Sequence, residues 1–286
     1  QLAAKCISGN CNIILGCCAG GVGANLAGHH NFIAGYCAAK LQTTGSNNTI
    51  IGQNAGVSNT GSSNVMFGTS AGNGNTGDNN FFVGSGAGAN NTADNNIFLG
   101  CNAGNANTTG SCNIMIGDAA GRCATVTHKG NVFLGSCAGK CATGSSCYNN
   151  FIGQCAGFSN DGGEDNNFFG RQAGQANTTG SCNNFIGRQA GFSNTTGVNN
   201  TALGRSALAS NVIGSGNVAI GFEALQANTN SGNTAVGTNA LTSNTAVLAV
   251  GIVTTNSHFT SNLNVTGVST FTDQVGFETH ISLPDN

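Results

Sequence analysis

An eight-residue pattern, Asn-x-x-x-Gly-x-x-Ala, recurs fourteen times along this 286-residue chain and constrains its fold more than any other feature. With the glycine as position zero, the anchors are Gly16, Gly35, Gly52, Gly68, Gly84, Gly100, Gly117, Gly135, Gly153, Gly170, Gly187, Gly204, Gly221 and Gly237. They span 221 residues in 13 intervals, a mean of 17. Every anchor has Asn at minus four, from Asn12 to Asn233, and Ala at plus three, from Ala19 to Ala240. A unit of this size is too short for a helical hairpin and shorter than a leucine-rich repeat, but it suffices for one coil of a β-solenoid. Each unit carries a strand-like run such as Asn96-Ile97-Phe98-Leu99, then glycine, a short segment through Ala-Gly, and a turn such as Asn107-Thr108-Thr109-Gly110. The Asn-Gly or Asp-Gly hairpins of an antiparallel meander are nearly missing, since only Asn73 and Asp161 precede glycine. The spacing therefore predicts an all-β fold, a parallel β-solenoid (β-roll) of about 14 coils of about 17 residues, rising about 4.8 Å per coil.

Side-chain volumes add a register. In the first eleven units minus two is large (Ile14, Ile33, Ile50, Met66, Phe82, Phe98, Met115, Phe133, Phe151, Phe168, Phe185), while plus four is Gly, or Ala39 once. The last three units invert the pair, with Ala202, Ala219 and Ala235 at minus two and Leu208, Leu225 and Leu241 at plus four. Close packing demands such compensation if both positions fill one interior. Minus one is apolar as well, from Leu15 through Phe67 and Ile152 to Val236, and neighbours on a strand face opposite ways. It should form an outer apolar stripe, larger than a monomer usually exposes, and should be covered by another chain. The domains are then residues 1–241, the repeat, and residues 242–286, a short β-rich C-terminal assembly or capping segment.

Charged residues make up 6% of the chain against the roughly 25% of an ordinary domain, which argues against an average globular enzyme. Gly numbers 46 and Asn 44, with one Pro, so collagen is excluded. At 39% hydrophobic and net charge -2, the composition is the reverse of a disordered chain's and leaves no electrostatic footprint for nucleic acid. No apolar run is long enough for a membrane span. Thirteen cysteines fit an oxidising compartment, so the chain reads as extracellular or secreted.

The last three units, Asn200-Thr201-Ala202-Leu203-Gly204 with Ala207-Leu208, Asn217-Val218-Ala219-Ile220-Gly221 with Ala224-Leu225, and Asn233-Thr234-Ala235-Val236-Gly237 with Ala240-Leu241, resemble the head repeats of trimeric autotransporter adhesins and related phage- and surface-fibre repeats. The other eleven share the Asn, Gly and Ala. The resemblance implies a left-handed parallel β-roll in a secreted fibrous or adhesive protein, often trimeric. No heptad stalk or membrane anchor accompanies it here, and the coil is longer and richer in cysteine than the family's.

Catalysis finds no support: His29, His30, His128, His258 and His280 form no H-E-x-x-H, no Ser sits in a G-x-S-x-G elbow, and no phosphate loop is present. His29-His30 with Cys17 or Cys18 lacks finger-like spacing, and we assign no catalytic, cofactor or metal site. Arg171, Arg188 and Arg205 share plus one in successive coils, a ladder for anions or for a partner's acidic groups, or a solvated row. Asp78 and Asp94, at minus six, are its acidic counterpart. Seven N-x-S/T sequons, at Asn47, Asn90, Asn107, Asn177, Asn194, Asn199 and Asn264, read by default as turn residues. Three cysteine pairs share a register, Cys18 with Cys37, Cys137 with Cys155 and Cys123 with Cys141, and are expected to form coil-to-coil disulfides, with a local Cys141–Cys147 bridge or a ladder of buried thiols as the alternatives.

The expected function is that of a secreted structural protein that assembles head-to-tail into an extracellular fibre, with residues around Leu263, Val265, Val268 and Phe271 pairing onto the open first coil of the next copy. Its partners are other copies of itself, lateral or trimeric contacts included, and surface glycans. The second reading is a receptor- or glycan-binding fibre protein of the adhesin-head or phage tail-fibre type. An ice-binding surface needs Thr-x-Thr on every coil, whereas Thr108-Thr109, Thr178-Thr179 and Thr195-Thr196 are adjacent pairs missing from most units.

Overall fold

The computed structural model describes residues 7–21, 25–123, 128–142 and 144–243. They form fourteen three-residue strands, from β1 (Ile13–Leu15) and β2 (Phe32–Ala34) through β9 (Asn150–Ile152), β10 (Asn167–Phe169), β11 (Asn184–Ile186) and β12 (Thr201–Leu203) to β14 (Thr234–Val236). All pair in parallel in chain order within one sheet, so each strand lies on the next unit's equivalent strand. The register keeps anchor on anchor: Phe168 faces Phe185, and Phe185 faces Ala202. This is the parallel β-solenoid that the repeat predicts.

The strands are short because each ends at an anchor glycine with φ between +125° and +145°, a conformation L side chains rarely adopt. In thirteen of the fourteen anchors a Cβ would also lie only 2.2–2.7 Å from the carbonyl oxygen of the next coil's anchor. Glycine is thus required twice over, by the turn and by the closeness of the coil stacked upon it.

The volume argument holds in detail. The middle residue of every strand from β2 onward is fully buried, as are its plus-three alanines up to Ala224. At ten of the plus-four glycines a Cβ would meet the same coil's minus-two side chain at 2.3–3.0 Å, as Gly191 would meet Phe185. Where minus two shrinks to Ala202 or Ala219, Leu208 and Leu225 fill the vacated space and are themselves fully buried. The phenylalanines stack face to face up the axis, with Phe133, Phe151, Phe168 and Phe185 at centroid spacings of 4.9, 4.9 and 5.0 Å. That spacing is the rise per coil.

The asparagines do more than form turns, the default reading given to those in the sequons. The minus-four residues from Asn31 to Asn233 are at most 2% exposed and build a continuous ladder. In it each backbone N–H donates to the side-chain Oδ1 of the preceding coil's asparagine, as Asn183 does to Asn166 (3.0 Å) and Asn200 to Asn183 (2.9 Å). Each Nδ2 up to that of Asn217 in turn donates to a turn carbonyl of the following coil, as Asn183 does to Gly197 at 2.8 Å. A second buried column at plus seven runs from Asn59 to Asn107 and again from Asn160, with Asn177 donating to Asn160 at 2.6 Å and Asn194 to Asn177 at 2.7 Å. A buried backbone group without a partner costs free energy, and asparagine carries both a donor and an acceptor on a short stem. It therefore satisfies turns whose own backbone geometry pairs with nothing else.

Candidate functional site

Because one register runs the length of the sheet, any residue repeated at an outward position becomes a column with about 5 Å between members. Among the described residues the surface holds no pocket and no group of three His, Cys, Asp or Glu placed to hold a metal. His29 instead accepts the Asn10 backbone N–H at Nδ1, 2.9 Å. No helix among the described residues is long and apolar enough to cross a membrane. The candidate sites are therefore the columns.

The outer face of the sheet carries minus three and minus one. Leu15 is 55% exposed, Phe67 52% and Leu203 45%, and Ile116, Ile152 and Ile186 are exposed beside them. The apolar stripe expected at minus one is present. In the later coils its neighbour at minus three turns polar: Asn150, Asn167 and Asn184 form an outer amide ladder, Asn150 donating to Asn167 and Asn167 to Asn184, each at 2.8 Å.

The cysteine pairs share a register as expected, but the disulfides are not formed: Cys18, Cys37, Cys123, Cys137, Cys141 and Cys155 are free thiols. Register alone supplies proximity, whereas a bridge requires loss of two protons and two electrons to an oxidant. The proximity is real. Burial first, and then the neighbouring Cys137, push the Cys155 thiol pKa up, and burial followed by Cys123 does the same to Cys141. Tyr36 is raised by Cys37 beside it, with Cys18 and Cys17 adding to the effect. We expect Cys141 and Cys155 to react with iodoacetamide more slowly than exposed Cys101 and Cys182 near pH 7, the gap closing as pH rises and thiolate forms. Incubation with oxidised glutathione should then link Cys137 to Cys155 and Cys123 to Cys141 and stabilise the fold by about 3 kcal/mol per bridge. Non-reducing peptide mapping that finds only mixed disulfides with glutathione would show that the thiols cannot close the bond.

The acidic column has a structural role. Asp78 Oδ1 accepts the Ser62 N–H at 2.7 Å, and Asp94 Oδ1 accepts the Asp78 N–H at 2.8 Å. Ser46, Ser181 and Ser215 serve the same minus-six position, each hydroxyl accepting the equivalent N–H of the coil before. Arg171, Arg188 and Arg205 stand exposed in their own column; among the described residues none is in a salt bridge and only Arg205 has an aromatic partner, its guanidinium 5.2 Å from the Phe222 ring centroid.

Burial divides the sequons. Asn107, Asn177 and Asn194 belong to the interior plus-seven ladder and are closed to modification in the folded chain. Asn47, Asn90 and Asn199 are exposed, with φ of 59°, 62° and 58°. Asn264 and the assembly residues Leu263, Val265, Val268 and Phe271 lie outside the described residues.

Comparison with protein families, curated proteins and solved structures gives no match.

Proposed function

We propose that this chain is a secreted structural protein that polymerises head-to-tail into an extracellular fibre. The observation that carries the reading is a core less fully covered in the first and last of the described coils. Ile14 is only partly buried, whereas its counterparts in the other thirteen coils are fully buried, and at the far end Ala240 and Leu241 are only partly buried. Among the described residues β1 and β14 are the two outermost strands of the sheet, and edges of a parallel sheet related by translation pair with one another without closing. Stacking the first coil of one copy on the last coil of another would cover Ile14 and Leu241 together. The register-paired cysteines, Cys137 with Cys155 and Cys123 with Cys141, would be bridged in the oxidising setting that a secreted protein meets.

The outward apolar columns favour a second reading, a lateral trimer of adhesin-head or phage-fibre type that buries Leu15, Phe67 and Leu203 against other copies. One experiment separates them. The full chain should form rods of growing length in negative-stain micrographs, with an axial repeat of roughly 65–70 Å for fourteen coils. Deleting residues 255–286 should slow or abolish that growth. Rods of normal length and rate from the deletion variant would remove the tail from assembly, and discrete particles of fixed size from the full chain would favour the closed trimer.

A further inference from the structure

The columns of charge are not equivalent. Asp78 and Asp94 each accept a backbone N–H from the preceding coil, whereas Arg171, Arg188 and Arg205 are exposed and meet no carboxylate among the described residues. Three guanidinium groups rooted one coil apart repel one another, and the interior rings of these coils, Phe168 and Phe185, set that rise at 5.0 Å. The backbone fixes the roots: Gln189 N–H donates to the Arg171 carbonyl, Ser206 N–H to that of Arg188 and Glu223 N–H to that of Arg205, at 2.9, 2.9 and 3.0 Å.

In the same column Gln154 precedes the arginines and Phe222, 36% exposed, follows them, so over these five consecutive coils plus one reads amide, three guanidiniums, aromatic. Alongside it Gln189 Nε2 donates to Gln172 Oε1 at 3.3 Å, a planar amide pair at plus two. Guanidinium forks bind carboxylates and sulfates bidentately, planar amides exchange hydrogen bonds with hydroxyls, and an exposed aromatic face stacks on an apolar one.

We propose that this strip binds a linear acidic polysaccharide, one carrying a carboxylate or sulfate on each successive sugar ring, laid along the solenoid axis. The inference rests on the column and not on the fibre reading. An extended acidic peptide is a poorer fit, because its side chains offer neither the hydroxyls that the Gln172–Gln189 amides would meet nor the apolar ring face on which Phe222 would stack. Single-stranded nucleic acid is usually held by several aromatic platforms in a basic groove; here one ring and three cations stand on a chain of net charge -2.

The test uses the full chain, with polygalacturonate as probe and neutral dextran as control, followed by calorimetry and affinity electrophoresis at two salt concentrations. Polygalacturonate should bind, dextran should not, and added salt should weaken the binding. Arg188→Gln should weaken it about tenfold and the triple Arg→Gln variant about a hundredfold or more, since each removes an exposed charge-assisted contact. Arg188→Lys should fall between, keeping the charge but losing the fork. Phe222→Ala should weaken binding a few-fold without changing its salt dependence. Unchanged melting curves would show that the variants stay folded. Absence of binding by the unmodified chain, or equal binding by the triple variant, would overturn the proposal, as would an oligoglutamate peptide binding as well as the polysaccharide. If the triple variant instead lost self-association while the unmodified chain ignored polygalacturonate, the ladder would be a contact between copies. Micrographs of the same samples report on fibre formation separately.

Discussion

Phe185→Ala should lower the stability of the solenoid by about 3–5 kcal/mol, and adding Gly191→Leu to that variant should return part of the loss. Phe185 is fully buried and stacks on Phe168 at 5.0 Å, so truncation removes a ring from the middle of a continuous core and leaves the space empty. A Cβ at Gly191 would lie 2.3 Å from the ring carbon Cε2, so Gly191→Leu alone should also destabilise. Together the two changes reproduce an arrangement this chain already uses, in which Ala202 is paired with Leu208 at φ 52°. Recovery should stop short of complete, because leucine in the left-handed region costs about 1–2 kcal/mol that glycine does not. Denaturant midpoints of the four chains form a double-mutant cycle. A double variant no more stable than Phe185→Ala would show that minus two and plus four do not share an interior.

The part of the structure legible in the sequence was the part written in volume and period. Glycine spacing set the coil and its parallel stacking, and the swap from Phe185 with Gly191 to Ala202 with Leu208 placed both positions inside before any contact was known. The interior role of asparagine was not legible in the same way. Composition classes asparagine with turn formers, and Asn107-Thr108-Thr109-Gly110 has the composition of a surface turn, yet Asn107 Nδ2 donates to Asn91 Oδ1 and to the Gly110 carbonyl inside the coil. The available signal was register: Asn59, Asn75, Asn91, Asn107, Asn160, Asn177, Asn194 and Asn211 all stand seven after an anchor, and an exposed turn has no reason to keep one residue type so regularly. The charge columns were legible as columns but not as roles. Sequence places Asp94 and Arg188 alike at repeated positions, and only the backbone N–H that each carboxylate accepts distinguishes a structural ladder from an unpaired one.

The asparagine ladder carries the second large expected effect. Asn183→Leu keeps the branched shape but strands the buried Asn200 N–H, which donates to Asn183 Oδ1 at 2.9 Å, and takes one of two hydrogen bonds from Asn200 Nδ2, which keeps the Gly214 carbonyl, and from the Gly197 carbonyl, which keeps Asn194 Nδ2. With one donor stranded outright at about 1–3 kcal/mol and two further groups each losing one of two hydrogen bonds, the cost should reach about 2–4 kcal/mol. Its sequence neighbour is the control: Asn184 points outward and is exposed, accepting only from Asn167, so Asn184→Leu should cost less than about 1 kcal/mol. Asn183→Asp sharpens the test. A protonated aspartic acid can accept from Asn200 and donate to Gly197, whereas the ionised form turns an oxygen towards that carbonyl in a site closed to water. Burial and the facing carbonyl thus raise the folded carboxyl above its unfolded pKa of about 3.9. The folded state then retains a proton that the unfolded chain has lost, so stability is present below about pH 4 and declines as pH rises through the folded pKa. Denaturant midpoints of Asn183→Asp should fall from pH 4 to about pH 7 relative to the unmodified chain. Equal costs for the leucine variants at 183 and 184, or a flat pH profile for Asn183→Asp, would show that the ladder is a consequence of the stacking and not one of its causes.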